Sequence, residues 1–408
     1  MFQNKASLVW LWLGLRVALL MALPANALFE YGDFQHYYNL ASWSLPGHCP
    51  AHVGGCWPLL DYWYEFPPVF PYLSLALFQL IGGGALPPFH AYAYGLALVM
   101  LLADFGSFWL VGRIAERLYS PAIAEAALWA YALMPAPLLL SGWTFDSLTT
   151  FWLLLAFWAL LTKRDGWVAV AIGLGALTKI IPLLLLPVIW KVRPVRQSLL
   201  IGLGVVGVIG VGLAPFAWRA PQVLGASLAA QVSKSSYATV WAIFDGNLAT
   251  AEGQPITGNF GPDEEHFELA RATLPVHQPS RFPSWLIVIV FGALYGAVWW
   301  PTTISDNDPY QTLALFGFTW AIFLLWSKGW SPQWQQMLVP LILLLHPGRP
   351  GVLLALALAL ICFLEWPVLL SRGLVWGYWI SIPLRTILFA GWAFYLTRIL
   401  KSNTLRVG

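Results

Sequence analysis

Charge is what this chain has least of. Of 408 residues, 21 are Lys or Arg and 18 are Asp or Glu, or 10% together, where a soluble domain carries roughly 25%. That shortage excludes an ordinary water-soluble globule. The net charge of +3 is small, and how it is spread over loops says more than its sum; no nucleic-acid partner is expected. Cysteine is nearly absent as well, with three residues. Cys362 sits in an apolar run and reads as core. Cys49 and Cys56 share a hydrophilic loop with His48 and His52. A disulfide is the expectation if that loop lies in an oxidising compartment. Zinc is the weaker reading, because the spacing matches no standard zinc pattern. No phosphate-loop lysine motif, H-E-x-x-H or nucleophile elbow occurs. Gly202-Leu203-Gly204-Val205-Val206-Gly207 fits G-x-G-x-x-G but lies in an apolar span with no strand before it, so close helix contact is expected there. No internal repeat is visible.

Apolar residues make up 59% of the chain, the mean hydropathy is +0.70, and 25 residues are tryptophan. This is the composition of a polytopic membrane protein. Each charge left in such a chain costs about 2.5 to 3.5 kcal/mol at mid-bilayer and merits its own reading. Tryptophans suit interfacial belts, sugar stacking or lipid contact, and their number does not choose. A spanning helix needs about 20 apolar residues. Runs at 8–28 (with Arg16 inside), 89–111, 121–140, 146–161, 167–190, 198–217, 284–300, 310–326, 333–346, 351–370 and 375–397 are candidates. The first is followed by no small-residue cleavage site and reads as a retained helix.

Two runs are decided by charge. The basic clusters Arg113/Arg117, Lys163/Arg164, Lys191/Arg193/Arg196 and Arg398/Lys401/Arg406 all belong on the cytoplasmic side. That holds if 67–82, with its three prolines, lies in the interface or re-enters. It also requires 167–190 to be two short helices turning near Thr178-Lys179, with Pro182 favouring the break; one kinked span is the alternative. The expected fold is therefore all-α, a single polytopic domain over 1–408 with about 12 transmembrane helices. Two long extracytoplasmic loops, 29–88 and 218–283, would carry juxtamembrane helices.

Glu30 to Tyr38 (Glu-Tyr-Gly-Asp-Phe-Gln-His-Tyr-Tyr) is the stretch that organises the rest. It follows the first span, and no Lys or Arg occurs from 29 to 66. Asp33 and His36 are three apart and share a helix face. The same topology gathers Asp61, Glu65, Asp146, Lys179, Asn247, Lys328, Ser331 and Gln333 on the outer side. A carboxylate there can take a proton from an attacking hydroxyl, and a lysine can hold a departing phosphate. Bland readings stand beside these. Asp33 and Asp146 could be helix-end carboxylates, His36 a loop histidine, Glu65 a loop pin, and Lys179 and Lys328 snorkelling lysines. Ser331 and Gln333 could cap a helix whose first turn holds Pro332. Asp61 reads as solvated, and so does the run Asp263-Glu264-Glu265-His266. Arg219, Lys234, Arg271 and Arg281 could touch lipid phosphate, with nothing to rank them.

An acid after the first helix, then Glu65-Phe66-Pro67-Pro68-Val69-Phe70-Pro71-Tyr72, Phe145-Asp146-Ser147, Thr178-Lys179-Ile180-Ile181-Pro182 and Ser331-Pro332-Gln333-Trp334, form an ordered set. From about residue 8 to 346 that set resembles the GT-C superfamily of membrane glycosyltransferases, nearest to the polyprenyl-phosphate-mannose-dependent mannosyltransferases. Many relatives have Tyr where this chain has Trp334. The resemblance implies transfer of a hexose, mannose first, from a polyprenyl-monophosphate donor to a hydroxyl of a glycolipid, glycan or protein. Inversion at the outer face of the plasma (inner) membrane is implied too. Asp33 would be the base and Asp146 the second acid. His36, Glu65, Lys179, Asn247, Lys328, Ser331 and Gln333 would contact substrate, with the large second loop helping to bind acceptor or lipid. No cofactor is implied, since the leaving group is a single phosphate, though Asp33 and Asp146 could hold a divalent metal. Two other functions stay open: a transporter or lipid-linked-sugar flippase, and a ligase or polymerase using a lipid-diphosphate sugar.

Overall fold

The computed structural model describes residues 2–22, 31–256, 263–274, 277–305 and 308–401; Glu30 lies outside them. Helices build the molecule. Among the described residues, extended pairing is confined to isolated bridges such as Tyr237 with Gly329, so the all-α expectation holds.

Among the described residues, five helices are long and apolar enough to cross a bilayer: Phe89–Leu118, Val195–Arg219, Pro309–Trp326, Arg349–Arg372 and Trp376–Lys401. Val195–Arg219 shows what surrounds them. It leaves Leu199, Leu203, Val206 and Val211 exposed, a stripe that suits lipid and would aggregate in water. The chain is an integral membrane protein. Shorter apolar helices accompany these five, among them Asp146–Leu161 and Asp165–Thr178. Prolines explain several of the breaks. The run 121–140, read above as one crossing, is two helices, Pro121–Leu133 and Pro135–Leu140. Met134 between them is extended, as residues before proline prefer.

The segment after Lys163 is a hairpin. Helix Asp165–Thr178 stops at Lys179, which is extended, and the chain continues as a 3₁₀ turn Ile181–Leu185 and a helix Leu186–Val192. Arg193 then returns to the hairpin's start: its Nε lies 3.3 Å from Asp165 Oδ1, and its guanidinium donates to the Leu160 carbonyl at 2.5 Å. Both basic flanks are thus at one end and Lys179 is at the other. Helix Val69–Gly82 has 14 residues and ends on Gly83 at φ 57°. At 1.5 Å per residue it rises about 21 Å, short of the roughly 30 Å apolar slab. The G-x-G-x-x-G segment is helical, and a Cβ on its Gly204 would sit 2.8 Å from the Ala169 Cβ, so close helix contact is the reason for that glycine.

Two long connections cover the Lys179 end. The first holds helix Tyr31–Ser42, and Cys49 and Cys56 are disulfide-bonded with Cα atoms 5.7 Å apart. The second holds helices Pro221–Val232 and Val240–Asp245 and the 3₁₀ turns Asp263–Phe267 and Leu269–Ala272. They dock on one another through aromatic side chains. Trp63 N–H donates to the His266 carbonyl at 3.0 Å, and His266 Nδ1 lies 2.8 Å from the Trp63 carbonyl. Below them, Tyr37 meets Phe70 edge-on at 4.7 Å and Phe70 stacks on Phe145 at 4.2 Å. Each such ring contributes about 1.5 to 3 kcal/mol on burial, which is how polar connections are held on a bundle top.

Candidate active site

Asp146 opens helix Asp146–Leu161, with Phe145 as the preceding cap residue. Its carboxylate does not cap the helix. It is fully buried, and Oδ1 accepts from Lys179 Nζ at 2.8 Å. Lys179 comes from the hairpin tip, where the extended residue at the break aims its side chain across. The ammonium lies over the Phe145 ring at 5.0 Å and the Trp334 ring at 5.5 Å, so three elements meet on this one pair. The start of the Asp146 helix is pinned in turn. Ser147 Oγ donates to Gln336 Oε1 at 2.6 Å, and the Gln336 amide donates to Thr144 Oγ1.

Asp33 lies in the first turn of helix Tyr31–Ser42, half-buried. His36, one turn on, has Nδ1 2.6 Å from Asp263 Oδ1, and Asn39 Nδ2 donates to Asp263 Oδ2 at 3.1 Å. Burial alone would lower the His36 pKa. The hydrogen bond and charge of Asp263, with Glu65 and Asp33 behind them, outweigh it and leave the pKa above its ordinary value. Glu65 Oε2 lies 3.4 Å from Lys234 Nζ, and that ammonium is 5.8 Å from the Phe66 ring. Phe66 touches Phe145 at 4.6 Å, so the Lys234 and Lys179 pairs flank one aromatic contact. Two phenols mark the centre. Burial, then Asp33, Tyr64, Glu65 and Asp146, holds Tyr37 well above its ordinary pKa and therefore neutral. Burial raises Tyr237 as well, against Ser331 and Lys179, with Glu65 and Asp33 adding to the rise. Phe145 ties four segments together: Tyr37, four residues after Asp33, meets its ring at 6.2 Å, Phe66, next to Glu65, meets it at 4.6 Å, and Lys179, paired with Asp146, lies over it.

No family model matches the chain. No curated protein matches it either. Among solved structures it is similar to the oligosaccharyltransferase of Archaeoglobus fulgidus in the apo form, with 14% identity and a TM-score of 0.47. The match covers 96% of this chain and 56% of that one; the chain spans little more than half the length of that protein. It is also similar to ArnT from Cupriavidus metallidurans bound to undecaprenyl phosphate, with 14% identity, a TM-score of 0.41, and 97% and 76% of the two chains covered.

The remaining expected site residues divide. Ser331 faces the cluster, its Oγ 3.4 Å from the Tyr237 hydroxyl. Gln333 is half-buried in the 3₁₀ turn Pro332–Trp334 beside it. Two others are engaged elsewhere. Asn247 is buried and fully used within its own loop: its amide donates to Ser236 Oγ at 3.1 Å and the Gln278 carbonyl at 2.9 Å, and accepts from Gln278 N–H at 3.0 Å. Lys328 turns away, donating to Ser284 Oγ at 2.8 Å and the Phe282 carbonyl at 3.3 Å. The run 263–266 is not a solvated face either. Asp263 holds His36, and His266 is buried and stacked on Trp63 at 4.2 Å. Sequence reasoning missed Tyr37, Tyr237 and Asp263 as site neighbours; the spacing of Tyr37, four residues after Asp33, could have found it, and nothing local marks the other two. Asp61 accepts from the Trp57 N–H at 2.7 Å and closes its own turn. Among the described residues no group of three or more His, Cys, Asp or Glu could hold a metal ion.

Proposed function

We propose that this protein is a GT-C-type membrane glycosyltransferase that moves a hexose, mannose first, from a polyprenyl-monophosphate donor to a hydroxyl acceptor at the outer face of the plasma (inner) membrane. The observation that carries this reading is the contact at Phe145, whose ring Tyr37, four residues after Asp33, meets at 6.2 Å and over which the ammonium of the Asp146–Lys179 pair lies at 5.0 Å. Asp33 accepts the proton of the acceptor hydroxyl. The hydroxyl oxygen forms the new bond to the anomeric carbon from the face opposite the phosphate, and inversion follows. The bond from that carbon to the phosphate oxygen breaks with its electron pair on the phosphate. Lys179 stabilises the charge that develops there; one of its three N–H groups is held by Asp146 and the other two are available. Asp146 keeps the ammonium in place from a buried position. His36 and Glu65 border the acceptor side, and the 29–88 and 218–283 connections form the roof over the reaction. A flippase needs no such pairing of a base with an anion site.

The test is transfer by purified protein in lipid, with labelled polyprenyl-monophosphate hexoses and mixed membrane-lipid acceptors. Wild type is expected to make product, and Asp33→Asn to fold normally and turn over roughly 100-fold or more slowly. Near-normal transfer by Asp33→Asn removes Asp33 from the role. Product from a lipid-diphosphate sugar alone refutes the monophosphate donor.

A further inference from the structure

We propose that the Tyr237 and Ser331 hydroxyls bind the phosphate of the lipid donor beside Lys179, completing a three-donor cradle; this rests on the glycosyltransferase reading above. Two backbone strips are clamped together here. Tyr237 N–H donates to the Lys328 carbonyl at 3.0 Å, and Trp330 N–H donates to the Tyr237 carbonyl at 3.3 Å. The clamp sets the phenol against Gly329, where a Cβ would stand 2.5 Å from the ring. No side chain fits at 329 unless the ring moves, so this glycine decides where the hydroxyl points. Ser331 precedes the Pro332–Trp334 turn without capping it, which leaves its hydroxyl to face Tyr237. At 3.4 Å the two oxygens are too far apart to saturate one another. One donor is free for a third group even while they touch, and at this distance a stronger acceptor can take the other.

Lys179 reaches the same turn from the other side, its ammonium 5.5 Å from the Trp334 ring. Trp334 N–H in turn donates to the Ser331 carbonyl at 3.0 Å. The ammonium and the two hydroxyls thus flank one turn, and each can donate. Phosphate oxygens accept several such bonds at once. Burial keeps the phenol protonated and able to donate.

The test is binding of polyprenyl monophosphate that carries no sugar, with polyprenol and inorganic phosphate as the other probes, to the full chain in nanodiscs. Wild type is expected to bind the lipid phosphate and to lose it to competing inorganic phosphate. Tyr237→Phe and Ser331→Ala are each expected to weaken it about tenfold, the loss of one hydrogen bond to a charged group. Their polyprenol binding and thermal midpoints are expected to match wild type. Gly329→Ala, which displaces the ring without removing the hydroxyl, is expected to act like Tyr237→Phe. If wild type binds polyprenyl phosphate and Tyr237→Phe and Ser331→Ala bind it equally well, the cradle is wrong while the glycosyltransferase reading stands. Weakened transfer with unchanged phosphate binding would put the hydroxyls on the sugar and also overturn it. If wild type neither binds the lipid phosphate nor transfers from it, the underlying reading falls too.

Discussion

Replacing Lys179 with methionine separates the structural from the chemical part of the site. The Asp146 side chain is fully buried and Lys179 is 13% exposed, with a 2.8 Å contact between them. Among the described residues Asp146 Oδ2 has no hydrogen-bond partner, so Lys179 is the group that compensates this carboxylate. Removing one member of a buried ion pair costs about 3 to 5 kcal/mol, because the other charge stays behind in a poor solvent. Lys179→Met is therefore expected to be destabilised by about that amount. Asp146→Asn leaves the lysine partly exposed and is expected to cost less. The double variant Asp146→Asn/Lys179→Met removes both charges and is expected to recover at least about 2 kcal/mol relative to Lys179→Met, since neighbours in one pair are not additive. It will recover none of the transfer activity, because the phosphate has lost its ammonium. The assay is reversible unfolding in mixed micelles, run beside the transfer assay. A double variant whose loss equals the sum of the singles, or a Lys179→Met protein as stable as wild type, would refute the argument that Asp146 is held by this one cation.

The His36–Asp263 contact predicts a pH window for the docking of the two connections. His36 is raised above its ordinary 6.5, with burial opposing and Asp263 the main cause of the rise. Its contribution is complete below about 6.5 and is lost as pH climbs through the raised value. Asp263 is lowered below its ordinary 3.8: burial works against this, but the His36 hydrogen bond and charge prevail. Its share is lost only as pH falls through that lowered value. Amide protection in 263–274, corrected for the intrinsic pH dependence of exchange, is expected to be greatest in mildly acidic buffer and to fall on the alkaline side, and Asp263→Asn is expected to flatten the profile; a flat wild-type protection profile would contradict the latch. In the bundle, Asp104 holds Arg16 at 2.6 Å and accepts from Trp12 and Tyr131 at 3.0 and 2.6 Å. Asp104→Leu is expected to lower stability by about 3 to 5 kcal/mol, with Arg16→Met/Asp104→Leu milder than Asp104→Leu alone, by the same unfolding measurement.

The sequence alone determined the class of the molecule. Low charge and long apolar runs leave only helices in lipid, because every backbone polar group must be satisfied within its own segment. Charge placement favoured a turn near Thr178-Lys179 over one kinked span, and an interfacial or re-entrant 67–82 over a crossing, since misplaced Lys and Arg carry a cost that any topology must respect. The aromatic and acidic motifs after the first helix, before the Asp146 helix and at the hairpin tip pointed to residues that the structure gathers at one end. Tertiary structure decided what those residues meet. Arg16 stood out as a charge within a span, but its partner is 88 positions away, and no periodicity links them. Asp263 looked like one of four solvated polar residues until the second connection folded onto helix Tyr31–Ser42. Asn247 bonds within its own loop and Lys328 reaches Phe282 and Ser284, contacts that their residue types do not announce. Local pattern fixes which side chains can do chemistry, because it depends on a few neighbours in the chain. Which of them share a site depends on contacts between segments tens or hundreds of residues apart, and only the closed bundle supplies those.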